Sequence, residues 1–261
     1  MACISIWYVG ACDVVPHPAS VVGGTLRTYL EAFGHRWRSL TRTQQIVIVA
    51  VGAIILAWLV LRGDLLNPMR LLAVAMALLV ALPVHEFAHA AAAVALGDDT
   101  PKRQGRLTLN PKVQLDPMGA LCLFFFGFGW AKPVQWNPAN INMNPKWGSI
   151  IVAAVGPLSN LLLALGCVIL MNMPVFSQPL LTEFLFSFLS INVMLFVFNL
   201  IPVPPLDGSH ILFALWPGDT FQLRMQMNRY STLILIAVIV LGRPIIQGIS
   251  WAITSTLLAF A

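Results

Sequence analysis

Four apolar runs in this 261-residue chain are long enough that a bilayer, rather than water, must be the solvent of the fold. Crossing the hydrocarbon core takes about 20 apolar residues in a helix. Residues 46–61 (IVIVAVGAIILAWLVL) make a first span, slightly short and bounded by Arg42 and Arg62. Residues 69–96 make a second, ending at Gly97, residues 147–171 a third, and residues 180–201 a fourth. The tail from 230 to 261 is apolar on both sides of Gly242-Arg243-Pro244. Two short helices with a turn are expected there, one long kinked helix being the alternative. Composition agrees: 58% of residues are hydrophobic and only 10% charged, where a soluble domain would carry about a quarter charged. The formal net charge of +5 is spread over short loops and nowhere concentrated with aromatics on a polar surface, which excludes a nucleic-acid partner. Cys3, Cys12, Cys122 and Cys167 are far apart or lie in apolar segments, so neither a disulfide framework nor CxxC-type zinc spacing is present.

The expected fold class is therefore an all-α polytopic membrane protein of about six transmembrane helices. Two segments do not suit a plain helix. Residues 118–144 (MGALCLFFFGFGWAKPVQWNPANINMN) are aromatic, then broken by Gly and Pro, then alternating and polar. Unpaired backbone cannot face lipid, so a re-entrant loop or β-hairpin covered by protein is expected between the second and third spans. In NLIPVPPLDGSHIL (199–212), three prolines interrupt an apolar run just before Asp207. Residues 1–45 read as a non-membrane arm. Asp13, Pro16 and Pro18 follow its mildly apolar start, and no basic region precedes it as in a secretory signal. Residues 46–261 read as one membrane domain.

Basic residues set the expected orientation. Arg36, Arg38 and Arg42 precede the first span, and Lys102, Arg103, Arg106 and Lys112 follow the second. The loop between those spans holds only Arg62, Asp64 and Arg70. The bias places the N-terminus in the cytoplasm, returns the second span there, and brings residues 85–89 and Asp207 to a similar depth on that side.

Into the second span the chain inserts His85-Glu86-Phe87-Ala88-His89, an H-E-x-x-H match. Residues four apart share a helix face, so both imidazoles can address one ion. Glu86 stands beside them as a base for a water. Zinc accepts neutral imidazole, and a catalytic zinc keeps one position for water. The chain has five histidines (17, 35, 85, 89, 210) and three glutamates (31, 86, 183), and three of these eight fall in this register. Buried polar residues gluing helices are the plainer reading, but a charged side chain at mid-helix costs about 2.5–3.5 kcal/mol on insertion scales. A metal satisfies all three groups at once.

A third ligand is required. Ala92 and Ala95 stand where a metzincin-like pattern would place glycine and histidine, which excludes that arrangement. Glu183 is the only downstream glutamate, and Asp98 and Asp99 are expected in water. Asp207, an acid in an apolar setting followed by Gly208, is the best candidate, with His210 a weaker competitor and helix capping the plainer role. Asn160, a lone amide in the third span, either donates to a developing oxyanion or bonds a neighbouring helix. Gly156-Pro157 kinks that span and lets a neighbour approach.

Taken together and in this order, HEFAH, VGPLSN (155–160) and FNLIPVPPLDGSHIL (198–212) resemble the site-2 protease family of intramembrane zinc metalloproteases. GDDTPKRQGRLTLNPKVQLDPMG (97–119) and GWAKPVQWNP (129–138) resemble its compact branch without a PDZ domain. The resemblance covers roughly residues 68–215, the expected catalytic core. It implies that His85, His89 and Asp207 bind one zinc per chain, that Glu86 is the base, and that Asn160 helps hold the substrate or oxyanion. Gln114 stands where many members have histidine, and Ser209-His210 replaces the frequent Gly-Arg; neither touches the implied ligands.

The implied activity is hydrolysis of peptide bonds within or beside transmembrane segments of membrane-protein substrates. The implied location is a bacterial-type inner membrane. No insert is long enough for a PDZ or CBS domain, so substrate selection falls to the core, a regulatory partner or a homo-oligomer. A locally unwound substrate could pair with the alternating stretch KPVQWNPANINMN, or that stretch could be a hairpin plugging the cleft. The rival reading is a membrane metal transporter or metal-binding protein using the same ligands, in which Glu86 would be dispensable.

Overall fold

The computed structural model describes residues 67–126 and 129–259, together with positions 38, 41, 42, 45, 46 and 49. Most of the expected first span and most of the arm lie outside the described residues. Ten helices follow: α1 (Pro68–Met76), α2 (Leu82–Ala95), α3 (Thr100–Arg103), α4 (Pro111–Gln114), α5 (Pro117–Phe126), α6 (Pro145–Met171), α7 (Pro179–Asn199), α8 (Asp207–Leu215), α9 (Phe221–Leu241) and α10 (Arg243–Leu258). Several starts share one local device. Asn67, Asn110 and Asn144 each accept a hydrogen bond from a backbone N–H of the first turn, and each is followed by proline. Asparagine satisfies an orphan donor, and proline at the first helical position has no N–H to lose.

Among the described residues, three helices are long and apolar enough to cross a membrane: Pro68–Ala95, Pro145–Met171 and Pro179–Asn199. The first joins α1 and α2 through a widened π-turn at Ala77–Ala81, two residues before Pro83. Its 28 residues give a rod of about 42 Å. A fourth crossing exists if the bent pair Leu233–Leu241 and Arg243–Leu258, at 63°, is counted as one. The tail is thus two helices meeting at Gly242, with the bend where Gly-Arg-Pro was expected to place a turn. The count of six is not confirmed.

α6 is the centre of the described bundle, packing against α2, α7 and α8, while α1 and α10 pack on α7. Lipid removes the hydrophobic drive between spans, so close packing must supply it, and small residues allow closeness. Ala73, Ala77 and Ala81, four apart, have no exposed surface in the part of the long helix that faces α7. Outward faces stay apolar, as at Leu79, Leu162 and Val240.

The β-hairpin expected within 118–144 is not confirmed either: no strand occurs among the described residues. Residues 117–126 are helical, and 131–137 run extended with one antiparallel bridge, Leu115 to Ala131. Pro133 and Pro138 remove ladder donors. Lys132 donates to the Gln114 carbonyl within that bridge (2.7 Å), whereas Val134 donates to the Glu86 carboxylate (3.1 Å) and Asn137 to the Asp98 carboxylate (2.6 Å).

Candidate metal centre

The π-turn and Pro83 precede the one turn of α2 that carries polar side chains. π-turns inside α-helices frequently sit at functional sites. His85 and His89 leave α2 on one face, and the loop after α7 delivers Asp207 to them at the first residue of α8. Gly208 permits that delivery, since a Cβ there would lie 2.3 Å from the Leu200 carbonyl oxygen. Gly156 does the same for α6 against α2: its absent Cβ would lie 2.1 Å from Nε2 of His89. The neighbour that Gly156 admits is that imidazole.

His85, His89 and Asp207 converge, with ligand atoms all within 4.8 Å of one another. Nε2 of His85 lies 3.2 Å from Oδ2 of Asp207, and Nε2 of His89 lies 3.2 Å from Oδ1. The two Nε2 atoms are 3.1 Å apart. Proton positions decide what such a triangle can hold. Nδ1 of His89 is 2.6 Å from the Val152 carbonyl, which can only accept, so Nδ1 carries the hydrogen. Nδ1 of His85 is 2.6 Å from Oδ1 of Asn160. Both Nε2 lone pairs then face each other and a carboxylate, and Oδ2 of Asp207 is sealed from solvent without a hydrogen-bond partner. Protonating one imidazole would relieve one side of this arrangement, whereas a cation among the three relieves every side. A tetrahedral zinc with bonds of about 2.0 Å spaces its ligands about 3.3 Å apart, close to the separations found here. Two imidazoles and a carboxylate suit zinc chemically.

Glu86 is buried beside this triangle, its Oε2 accepting from Val134 N–H with the Arg106 guanidinium 3.8 Å away. Arg106, also buried, donates to the Val113 carbonyl (2.5 Å) and to the Lys132 carbonyl, strapping the loop after α2 to the extended segment. Among the described residues, the contacts of Glu86 with Val134 and Arg106 are made through Oε2 and not Oε1.

The other candidates stand apart. His210 is exposed three residues beyond Asp207, its ring 5.5 Å from that of Trp136, and is not in the cluster. Glu183 accepts from Asn67 Nδ2 at the start of α1 (2.6 Å). Asp98 is buried rather than in water, bonded to Thr100, Asn137 and Asn140, while Asp99 is exposed. Asn160 has no exposed surface: its oxygen faces His85 and its nitrogen donates to Oδ1 of Asn192 on α7 (3.1 Å). Asn192, Arg106 and the Val134 amide were not anticipated. Asn192 had a signal, being a lone amide in an apolar helix like Asn160; a backbone amide has none.

Comparison with known proteins adds independent support. The family model described as Peptidase family M50 matches residues 173–241, the stretch containing Asp207. The chain is 40% identical over 171 residues to the candidate zinc metalloprotease YwhC of Bacillus subtilis (strain 168), covering 62% of this chain and 78% of that one. It is 28% identical over 225 residues to the candidate zinc metalloprotease Rip2 of Mycolicibacterium smegmatis (strain ATCC 700084 / mc(2)155), covering 79% and 83%. No solved structure matches the chain.

Proposed function

The chain belongs to peptidase family M50 and is an intramembrane zinc protease; we propose that His85, His89 and Asp207 hold one zinc and that Glu86 is the catalytic base. The triangle of Nε2, Nε2 and carboxylate oxygens at 3.1 to 3.2 Å, with both Nδ1 atoms turned to acceptors behind it, carries this reading. Zinc bound there supplies Lewis acidity, polarising a scissile carbonyl and acidifying a water. Glu86 takes the proton of the attacking water and returns it to the leaving amine. Val134 and Arg106 hold Oε2 from behind, which leaves Oε1 to move the proton.

The substrate is a transmembrane segment of another protein, and its helix must unwind before a carbonyl can be attacked. Residues 131–137 support strand-like pairing with the unwound segment: their inward amides are bound to Gln114, Glu86 and Asp98, which holds the backbone extended beside the base. The catalytic core is residues 68–215 of a single membrane domain spanning 46–261, with 1–45 a cytoplasmic arm. Both relatives are bacterial, which supports an inner-membrane location with the site opening toward the cytoplasm. A regulatory partner or second copy shares substrate selection. No observation favours metal transit. Purified full-length protein should contain one zinc and cleave members of a panel of single-span peptides. A preparation that binds zinc but cleaves none of a broad panel would count against the reaction; one that binds none would remove the centre itself.

A further inference from the structure

The two imidazoles are oriented by different means. His89 rests on a backbone carbonyl, that of Val152, which no substitution at 152 can delete. His85 rests on a side chain, and that side chain rests on another. We propose that Asn192, on α7, is a positioning residue for the metal centre, fixing the ring and tautomer of His85 through Asn160. The proposal rests on the reading of His85 as a ligand.

Each link is forced by the one before. Asn192 Nδ2 lies 2.8 Å from the Phe188 carbonyl, one turn earlier in α7. A carbonyl can only accept, so the amide nitrogen of Asn192 must face it and its oxygen must face Asn160. Nδ2 of Asn160 donates to that oxygen at 3.1 Å, so Oδ1 of Asn160 faces His85. At 2.6 Å from that oxygen, Nδ1 of His85 is the donor and Nε2 is left bare toward Asp207. The line runs from the α7 backbone through α6 to α2, and both asparagines have no exposed surface, so water cannot replace either partner. A ligating histidine depends on the acceptor behind its other nitrogen for orientation and basicity. With Asn192 removed, Asn160 is free to turn its nitrogen toward His85, which favours the wrong tautomer. α7 supplies no ligand, yet its register against α6 reaches the centre by this route.

A purely structural interhelical bond would make different predictions. The test measures zinc affinity of the full-length protein in detergent by competition with a chromogenic chelator, counting only folded, monodisperse material, together with 15N signals of the histidine rings. Asn192→Leu keeps volume and deletes both bonds; zinc affinity should fall about 10- to 100-fold, and the apo protein should lose its Nδ1–H preference at one histidine. Asn192→Asp, neutral at this depth, keeps an oxygen toward Asn160 and a hydroxyl toward Phe188, and should bind zinc within about threefold of native. Asn160→Leu combined with Asn192→Leu should bind no worse than Asn160→Leu alone, since one acts through the other. Native affinity in Asn192→Leu, or losses that multiply in the double variant, would overturn the proposal while the native protein still binds zinc. If the native protein takes up no zinc, the centre and the positioning role fall together.

Discussion

Val134 donates its backbone N–H to Oε2 of Glu86 at 3.1 Å, tying the base on α2 to an extended segment 48 residues later. The bond makes the orientation of Glu86 depend on where residues 131–137 are docked. Hydrogen bonds between Lys132 and Gln114, Arg106 and Lys132, Gln104 and Gln135, and Asn137 and Asp98 set that docking. Of these, only the last runs through a carboxylate outside the membrane-spanning helices, and it makes the docking sensitive to acid.

Burial of Asp98 pushes its carboxyl up. The bonds from Asn140, Thr100 and the backbone of Asn137 and Thr100 outweigh that and hold it below the ordinary carboxylate range. A depressed folded value means the docking is fully stable above the unfolded value, about 3.9, and is lost as pH falls through the lower folded value. Hydrogen exchange at Asn137 and its neighbours, corrected for intrinsic rate, should be flat from neutral pH to about 4 and rise below. Asp98→Asn should leave the segment looser at every pH and without that step. An acid step of the same size in Asp98→Asn would show that another group controls the docking.

Glu86→Gln keeps the shape of the base and an oxygen for Val134 N–H, but removes the proton acceptor. Zinc content should stay at one per chain while cleavage falls on the order of 10²- to 10⁴-fold. Cleavage at the native rate would remove Glu86 from the mechanism. Zinc flux through the variant in vesicles would revive the transport reading.

Gly156→Ala tests how closely α6 serves the centre. The added methyl would stand 2.1 Å from Nε2 and 2.4 Å from Cε1 of His89, whose Nδ1 is already fixed by Val152. The ring must swing away from the ligand position or the helices must part. Zinc affinity should drop at least about tenfold, or about 1.4 kcal/mol, in protein that still elutes as a folded species. Stoichiometric zinc at native affinity would show that His89 is not a ligand at this position.

His85, Glu86 and His89 were legible because helical spacing is local: four residues apart is one face wherever the helix lies. Asp207 was legible because an acid in an apolar run needs a reason and Gly208 after it signals close approach. The three spans were legible because lipid demands apolar residues throughout. In the segment 118–144 the Gly and Pro breaks were legible, but the bonds of the Val134 and Asn137 amides to Glu86 and Asp98 were not, since nothing local announces them. Asp98 was expected in water because a helix ends there, whereas the extended segment folds back and covers it. Asn160 was legible as a residue needing a partner, but the partner, His85, follows from packing that brings α6 across α2.

The remaining expectation concerns the membrane. A centre built from α2 and α8 needs a polar entrance on one side, and the basic loop at Lys102, Arg103 and Lys112 points to the cytoplasm. Asp207 must reach the depth of His89, so the chain between them must make an even number of crossings. The two long helices Pro145–Met171 and Pro179–Asn199 supply a closed pair, and residues 117–144 must then begin and end on the same side. Single cysteines at the exposed positions Gln104, Asp219 and Ser177, in a chain stripped of Cys3, Cys12, Cys122 and Cys167, can be probed with an impermeant maleimide in oriented vesicles. Positions 104 and 219 should label only from the cytoplasmic face and 177 only from the opposite one. Labelling of 104 and 219 from opposite faces would put an odd number of crossings between His89 and Asp207, and the orientation argued from the basic loops would have to be abandoned.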